Sequence, residues 1–148
     1  MGAVATLGLT MFYPYLVTPF VAWFVAGSIK FVINSLITKK AATHLIGYGG
    51  LPSNHSTIVC SMATLIGLRE GFNNPAFGVA ITLAFIVILD AASLRKQVGK
   101  HASALNQLAR HDNLIAPQLR ERMGHTPLEI AAGVVVGVLI AIAINHFA

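Results

Sequence analysis

Four apolar runs dominate this chain, near residues 15–37, 55–70, 76–92 and 126–147, and the polar residues are gathered between them. About 20 predominantly apolar residues are enough for a helix to cross the hydrocarbon core of a bilayer. A soluble domain carries about 25% charged residues. Here 10% are charged and the mean hydropathy is +0.72. The pattern predicts an all-α integral membrane bundle, forming one membrane-embedded domain over residues 1–148.

The first span is expected near 15–37, in an apolar run that contains Pro14, Pro19 and Lys30 and ends at Lys39 and Lys40. Residues 41–54 read as a loop. The run 55–70 reads as a helix stopped by Arg69, Glu70 and Gly71. It would cover ~24 Å, short for a free span but adequate inside a bundle. Residues 71–75, GFNNP, form a turn, and 76–92 form a span in which Asp90 stands at the end. In 93–125, Leu94, Val98, Ala102, Leu105 and Leu108 recur at helical spacing. This predicts an amphipathic helix at the membrane interface, broken by HDN at 111–113. Pro127 stands near the start of the last span, 126–147. The expectation is about four membrane helices and one interfacial helix.

Four crossings place the 41–54 loop and the 93–125 segment on one side. That side holds Lys39, Lys40, Arg95, Lys96, Lys100, Arg110, Arg120 and Arg122, against Arg69 on the other. The positive-inside rule assigns the basic side to the cytoplasm, and the expected location is a bacterial inner membrane. The net charge of +5 lies between apolar runs, which favours anionic lipid head groups or an anionic substrate. No aromatic-plus-basic stretch offers a stacking platform for bases, so nucleic acid is not an expected partner. Cys60 is the single cysteine, so no internal disulfide forms and its expected role is packing. No basic residue precedes Lys30, so the first run is not read as a secretory leader.

Three loop-to-helix junctions carry the residues suited to chemistry. In GGLPSNHSTIV, residues 49–59, Gly49 and Gly50 allow close backbone approach and Ser53 and Asn54 offer capping and hydrogen bonds. His55 falls on the first helical turn, where free N–H groups favour an anion. An ordinary Ser/Asn cap beside an interfacial histidine reads equally well there. In DAASLRKQVGKH, residues 90–101, Arg95 and Lys96 follow a span directly, as a phosphate clamp or a basic membrane anchor. Asp90, an acid at a span end, calls for a cationic partner. In GHTPLEIAAGVVVG, residues 124–137, His125 and Glu129 are four apart and share a helix face. A carboxylate on one ring nitrogen leaves the other free to attack, the logic of an oriented nucleophile; simple helix capping is the alternative. Gly133 and Gly137 form a small-xxx-small pair for close helix packing. Lys30 either snorkels to the interface or reaches an anion inside the bundle.

These junctions resemble the divergent branch of the type 2 phosphatidic acid phosphatase superfamily, relatives of the vanadium haloperoxidases. GGLPSNHS is similar to that branch's GGMPSSHS, DAASLRKQVGKHASALN to its DATGVRR-x-x-G-x-Q-A-x-x-LN, and GHTPLEIAAGVVVG to its GHTPxEVxxGxxxG. The likeness runs over about residues 20–145. It implies a helical bundle that dephosphorylates lipid phosphates or diphosphates without a metal or other cofactor. By resemblance His125 is the nucleophile that becomes a phosphohistidine, Glu129 its orienter and His55 the general acid. Lys30, Lys39, Ser53, Asn54, Arg95 and Lys96 would bind phosphate, while Asp90, Gly49 and Gly50 would orient or shape the site. The sequence departs from the wider superfamily in PSNH for PSGH, in the absence of K-x6-RP, and in Glu for Asp after the nucleophile. Arg95 and His101 keep an R-x5-H spacing, but Leu105 stands where the acid belongs, so His125 is preferred to His101.

The five acidic residues show no metal-ligand spacing. The first expectation is a phosphatase for an isoprenoid or glycerolipid phosphate or diphosphate, a phosphoric monoester hydrolase embedded among membrane lipids. The alternative is a non-catalytic protein that uses the same anion pocket to bind head groups or a partner. A channel or transporter component is a third, with only Lys30 to build a polar path.

Overall fold

The computed structural model describes residues 2–38, 50–112 and 116–148, with side chains over 13–37 in the first helix. Lys39, Lys40 and Gly49 lie outside the described residues. The described residues form five α-helices in order: α1 (Gly2–Thr38), α2 (Asn54–Glu70), α3 (Pro75–Leu89), α4 (Arg95–His111) and α5 (Pro127–Phe147). Among the described residues there is no strand.

Local chemistry sets the helix starts. Ser53 caps α2 by accepting the Ser56 N–H. Asn74 caps α3 by accepting the Ala76 N–H, with Pro75 in the first turn, where its missing N–H costs nothing. Thr126 and Glu129 form a reciprocal capping box at the start of α5, again with a proline, Pro127, in the first turn.

The 17-residue α2 is the centre of the bundle and packs on α1, α3 and α5. It runs antiparallel to α1: its end meets the early part of α1 where the Tyr15 hydroxyl donates to Glu70 Oε1 (2.6 Å). It runs parallel to α5. The Ser53 N–H donates to the Glu129 carbonyl at one end (2.9 Å), and Arg69 Nε donates to Asn145 Oδ1 at the other (3.1 Å).

Residue size is sorted inside out. Most buried positions, Leu65 apart, are small or hydroxylated: Thr18, Ala22 and Ala26 on α1, Ser56, Thr57 and Ser61 on α2, and Gly133, Gly137 and Ala141 on α5. Large apolar side chains such as Leu16, Phe20, Trp23, Phe85 and Leu139 face outward. Helices in lipid associate through close packing of small residues, because lipid and core are equally apolar. A Cβ on Gly133 would lie 2.6 Å from the Ser53 carbonyl oxygen, and one on Gly137 2.6 Å from that of Thr57. The buried hydroxyls find partners within their own helix or at its cap: Thr18 donates to Pro14 O, Thr57 to Ser53 O and Ser61 to Ile58 O. This satisfies groups that lipid cannot.

Among the described residues, three helices are long and apolar enough to span by themselves: Tyr13–Ile37, Pro75–His111 and Pro127–Phe147. The run 55–70 forms the 17-residue α2, which crosses the bundle wrapped by the others and so needs no lipid-facing composition. The expected amphipathic helix is α4, and one feature differs from expectation: it is continuous with the span before it. α3 continues into α4 through a π-helical turn, Asp90–Leu94, and 37 residues of helix extend roughly 55 Å, beyond a ~30 Å hydrocarbon core. Its predicted apolar face is open, with Leu94, Val98, Leu105 and Leu108 exposed. The side packed on protein carries Gly99, Ala102 and Asn106.

Residues 116–125 are not helical and return along α4. The Asn106 side chain pins them: Nδ2 donates to Leu119 O and Glu121 Oε1 (both 2.8 Å), and Oδ1 accepts the Leu119 N–H (2.9 Å). A Cβ on Gly99 would strike the Glu121 carbonyl oxygen. The Glu121 carboxyl is held below its usual range, first by the Asn106 amide and the Ser103 hydroxyl, with Arg110 adding less.

Candidate active site

His125 is fixed from two directions. The π-helical turn sends the Arg95 N–H to Asp90 O rather than to Ala91 O. The Ala91 carbonyl accepts the His125 N–H instead (2.9 Å). Gly124 makes this approach possible: its φ is +85°, and a Cβ there would lie 3.2 Å from Ala91 O and 3.1 Å from Lys96 N. From the other direction, the capping carboxylate of α5 reaches the ring. Glu129 Oε2 lies 3.1 Å from His125 Nδ1 and accepts the Thr126 N–H at 2.9 Å. The Gly50 backbone also bonds to this carboxylate. Both side chains are about 10% exposed. With Glu129 ionised, Nδ1 carries the proton and Nε2 keeps its lone pair.

His55 stands on the first turn of α2, its ring centroid 6.0 Å from that of His125 and tilted by 56°. Its Nδ1 is buried and has no hydrogen-bond partner among the described residues. Arg95, Asp90 and Lys30 lie close enough for their charges to act on it. Arg95 Nε donates to Asp90 Oδ2 at 2.7 Å, with both side chains about a third exposed. The cationic partner that Asp90 calls for is therefore Arg95.

Lys30 ends the buried face of α1 that begins with Thr18, Ala22 and Ala26, and it is 8% exposed. Gly50, at φ +133°, sits against this helix, where a Cβ would lie 3.3 Å from Asn34 Oδ1 and 3.8 Å from Lys30 Cγ. Lys30 also lies close enough to Glu129 for the charges to interact.

The structure thus brings His55, His125, Glu129, Arg95, Asp90, Lys30 and Gly50 to one end of the bundle. Ser53 is fully buried and serves as a helix cap, accepting from Ser56 N (3.3 Å) and Ser56 Oγ (3.0 Å). Asn54 Oδ1 is buried and unpartnered among the described residues. The Lys96 and His101 side chains are exposed on α4. Among the described residues, no three His, Cys, Asp or Glu side chains group as a metal site requires.

Sequence reasoning missed Ala91, Gly124 and Asn106. TPLE carried the sequence signature of the capping box, a threonine with glutamate three residues on. Nothing in DAASL marks the π-helical turn.

No solved structure matches the chain. The uncharacterized membrane protein YuiD of Bacillus subtilis (strain 168) is 27% identical over 135 residues, covering 80% of this chain and 85% of that protein. The model of the Divergent PAP2 family matches residues 13–140, which contain all three junctions, and the chain belongs to that family.

Proposed function

We propose that this membrane protein is a lipid phosphatase, a single membrane-embedded domain that hydrolyses an isoprenoid or glycerolipid phosphate or diphosphate without a metal. One observation carries the reading: a histidine whose Nδ1 is held by a buried carboxylate stands 6.0 Å, ring to ring, from a second histidine, with Lys30 and Arg95 beside them. His125 Nε2 attacks phosphorus, the bond from phosphorus to the lipid oxygen breaks, and His55 gives its proton to the departing alkoxide. Water then attacks the phosphohistidine and gives a proton to His55, the N–P bond breaks, and phosphate leaves. Lys30 and Arg95 balance the charge of the transferring group, and Asn54 lies beside His55 as a further phosphate contact. Lys39, outside the described residues, would add a cation from the 41–54 loop.

The site end carries Lys96, Lys100, Arg110, Arg120 and Arg122, which supports a cytoplasmic orientation in a bacterial inner membrane. The second reading is a non-catalytic head-group binder. It draws on the Asp90–Arg95 pair, which already neutralises part of the pocket.

Phosphate release from prenyl and glycerolipid phosphates in detergent with EDTA tests the reading. Release by the wild type, reduced about 10³-fold or more in His125→Ala, is expected. No release from any substrate favours the binder, and equal release by both proteins removes His125 from the nucleophile's role.

A further inference from the structure

The α2 face that carries His55 does not end at the site. Ile58, Val59, Met62 and Ile66 follow it at helical spacing, so they lie below His55 along one stripe. They are half-buried, on a helix whose opposite faces are closed by Ser56, Thr57, Ser61 and Leu65. This stripe floors an apolar cavity of ≈ 580 Å³, walled by Pro19 of α1 and by Ala80 and Leu83 of α3. Ala76, in the first turn of α3, lies at its far end. From Ile58 to Ile66 the floor is ~12 Å long. The volume falls in the ~300–1,000 Å³ range of small-molecule sites.

We infer that this groove holds the hydrocarbon tail of the phosphorylated lipid substrate, with the tail lying along α2 and its ester oxygen beside His55. The inference rests on the phosphatase reading. The general acid protonates the oxygen that stays with the tail, so the tail departs on the His55 side of the phosphorus. The groove opens one helical turn below His55 on that same side. Its lining is apolar, which suits a chain without polar atoms, and its length along α2 makes it a ruler for chain length.

Two measurements test this. Detergent-solubilised protein is incubated with a prenyl phosphate that carries a photoreactive group near the tail end, then irradiated and mapped by mass spectrometry. Labelling at Met62, Ile66 or Ala76 is expected. Labelling confined to outward residues such as Leu139 on α5 overturns the groove. In parallel, kcat/KM is compared for ten-carbon and twenty-carbon prenyl phosphates in the wild type and in Ala76→Phe, which fills the far end. A loss of at least tenfold for the long substrate, with the short one within threefold, is expected. Equal effects on both chain lengths overturn the ruler. If no substrate releases phosphate but the probe still labels Met62 or Ile66, the phosphatase reading fails and the tail groove stands as a lipid site. If phosphate is released but the groove is never labelled, the reverse holds.

Discussion

Two glycine-lined seams meet at His125, and they are built differently. Along α2 and α5, Gly133 and Gly137 bring backbone against backbone among buried hydroxyls, with large apolar side chains turned to lipid. Along α4 and residues 116–123, Gly99 also admits a backbone, but one side-chain amide, Asn106, holds the returning segment in an exposed, charged setting. The first seam is long and rests on close backbone packing, with one side-chain bond, Arg69 to Asn145, only at its far end. The second hangs on a few hydrogen bonds. The α5 seam therefore sets the His125 ring through Glu129, and the α4 seam sets its backbone through Gly124 and Ala91.

The largest expected effect separates these roles at the ring. Glu129→Gln keeps the shape of the cap but loses the charge that fixes the His125 tautomer, and kcat should fall about 10²–10⁴-fold with little change in KM. An unchanged kcat would reduce Glu129 to a helix cap. Next come matched glycine substitutions. Gly133→Leu forces a Cβ against the Ser53 carbonyl, and the midpoint of thermal unfolding in detergent should fall roughly 5–10 °C. Gly99→Leu should leave that midpoint nearly in place and instead make residues 116–123 sensitive to protease. If both variants lower the midpoint equally, the seams are one cooperative unit and the contrast fails.

A smaller effect is expected from Asn106→Ala, which removes three hydrogen bonds from a partly solvated site. Limited proteolysis within 116–123 should quicken about tenfold, with a modest loss of rate because Ala91 still holds His125. The smallest is a pH effect on the same seam. The folded Glu121 carboxyl is depressed, so its contribution is present above its ordinary value of 4.5 and is lost as pH falls through the lowered folded value. Protease sensitivity of 116–123 should rise only below about pH 4.5, and Glu121→Gln should abolish that rise.

How much was legible in the sequence follows the same division. The α5 seam was readable, because GHTPLE places histidine and carboxylate four apart and Gly133 and Gly137 recur at helix spacing. The helix starts were readable from Asn74–Pro75 and Thr126–Pro127. The α4 seam was not. Leu94, Val98, Leu105 and Leu108 announced an amphipathic helix, but periodicity alone cannot tell which face meets protein and which meets the membrane. The protein-facing side proved to be Gly99, Ala102 and Asn106, of which only Ala102 belonged to the apolar stripe read from the sequence. The π-helical turn was equally silent, since it depends on a tertiary bond from His125 to Ala91. Ser53 reads alike as a phosphate contact or a cap from sequence; the fold buries it as a cap. The brevity of α2 was readable as that of a helix inside a bundle, and its neighbours do enclose it.

The central claim is that His125 takes the phosphoryl group. The most direct measurement is a rapid alkaline quench of protein turning over a lipid phosphate, with peptide mapping for phosphohistidine, which survives base. A phosphoryl group on His125, absent from His125→Ala, is the predicted result. A phosphoryl group on His101, or rapid phosphate release with no phosphohistidine anywhere, would contradict the account.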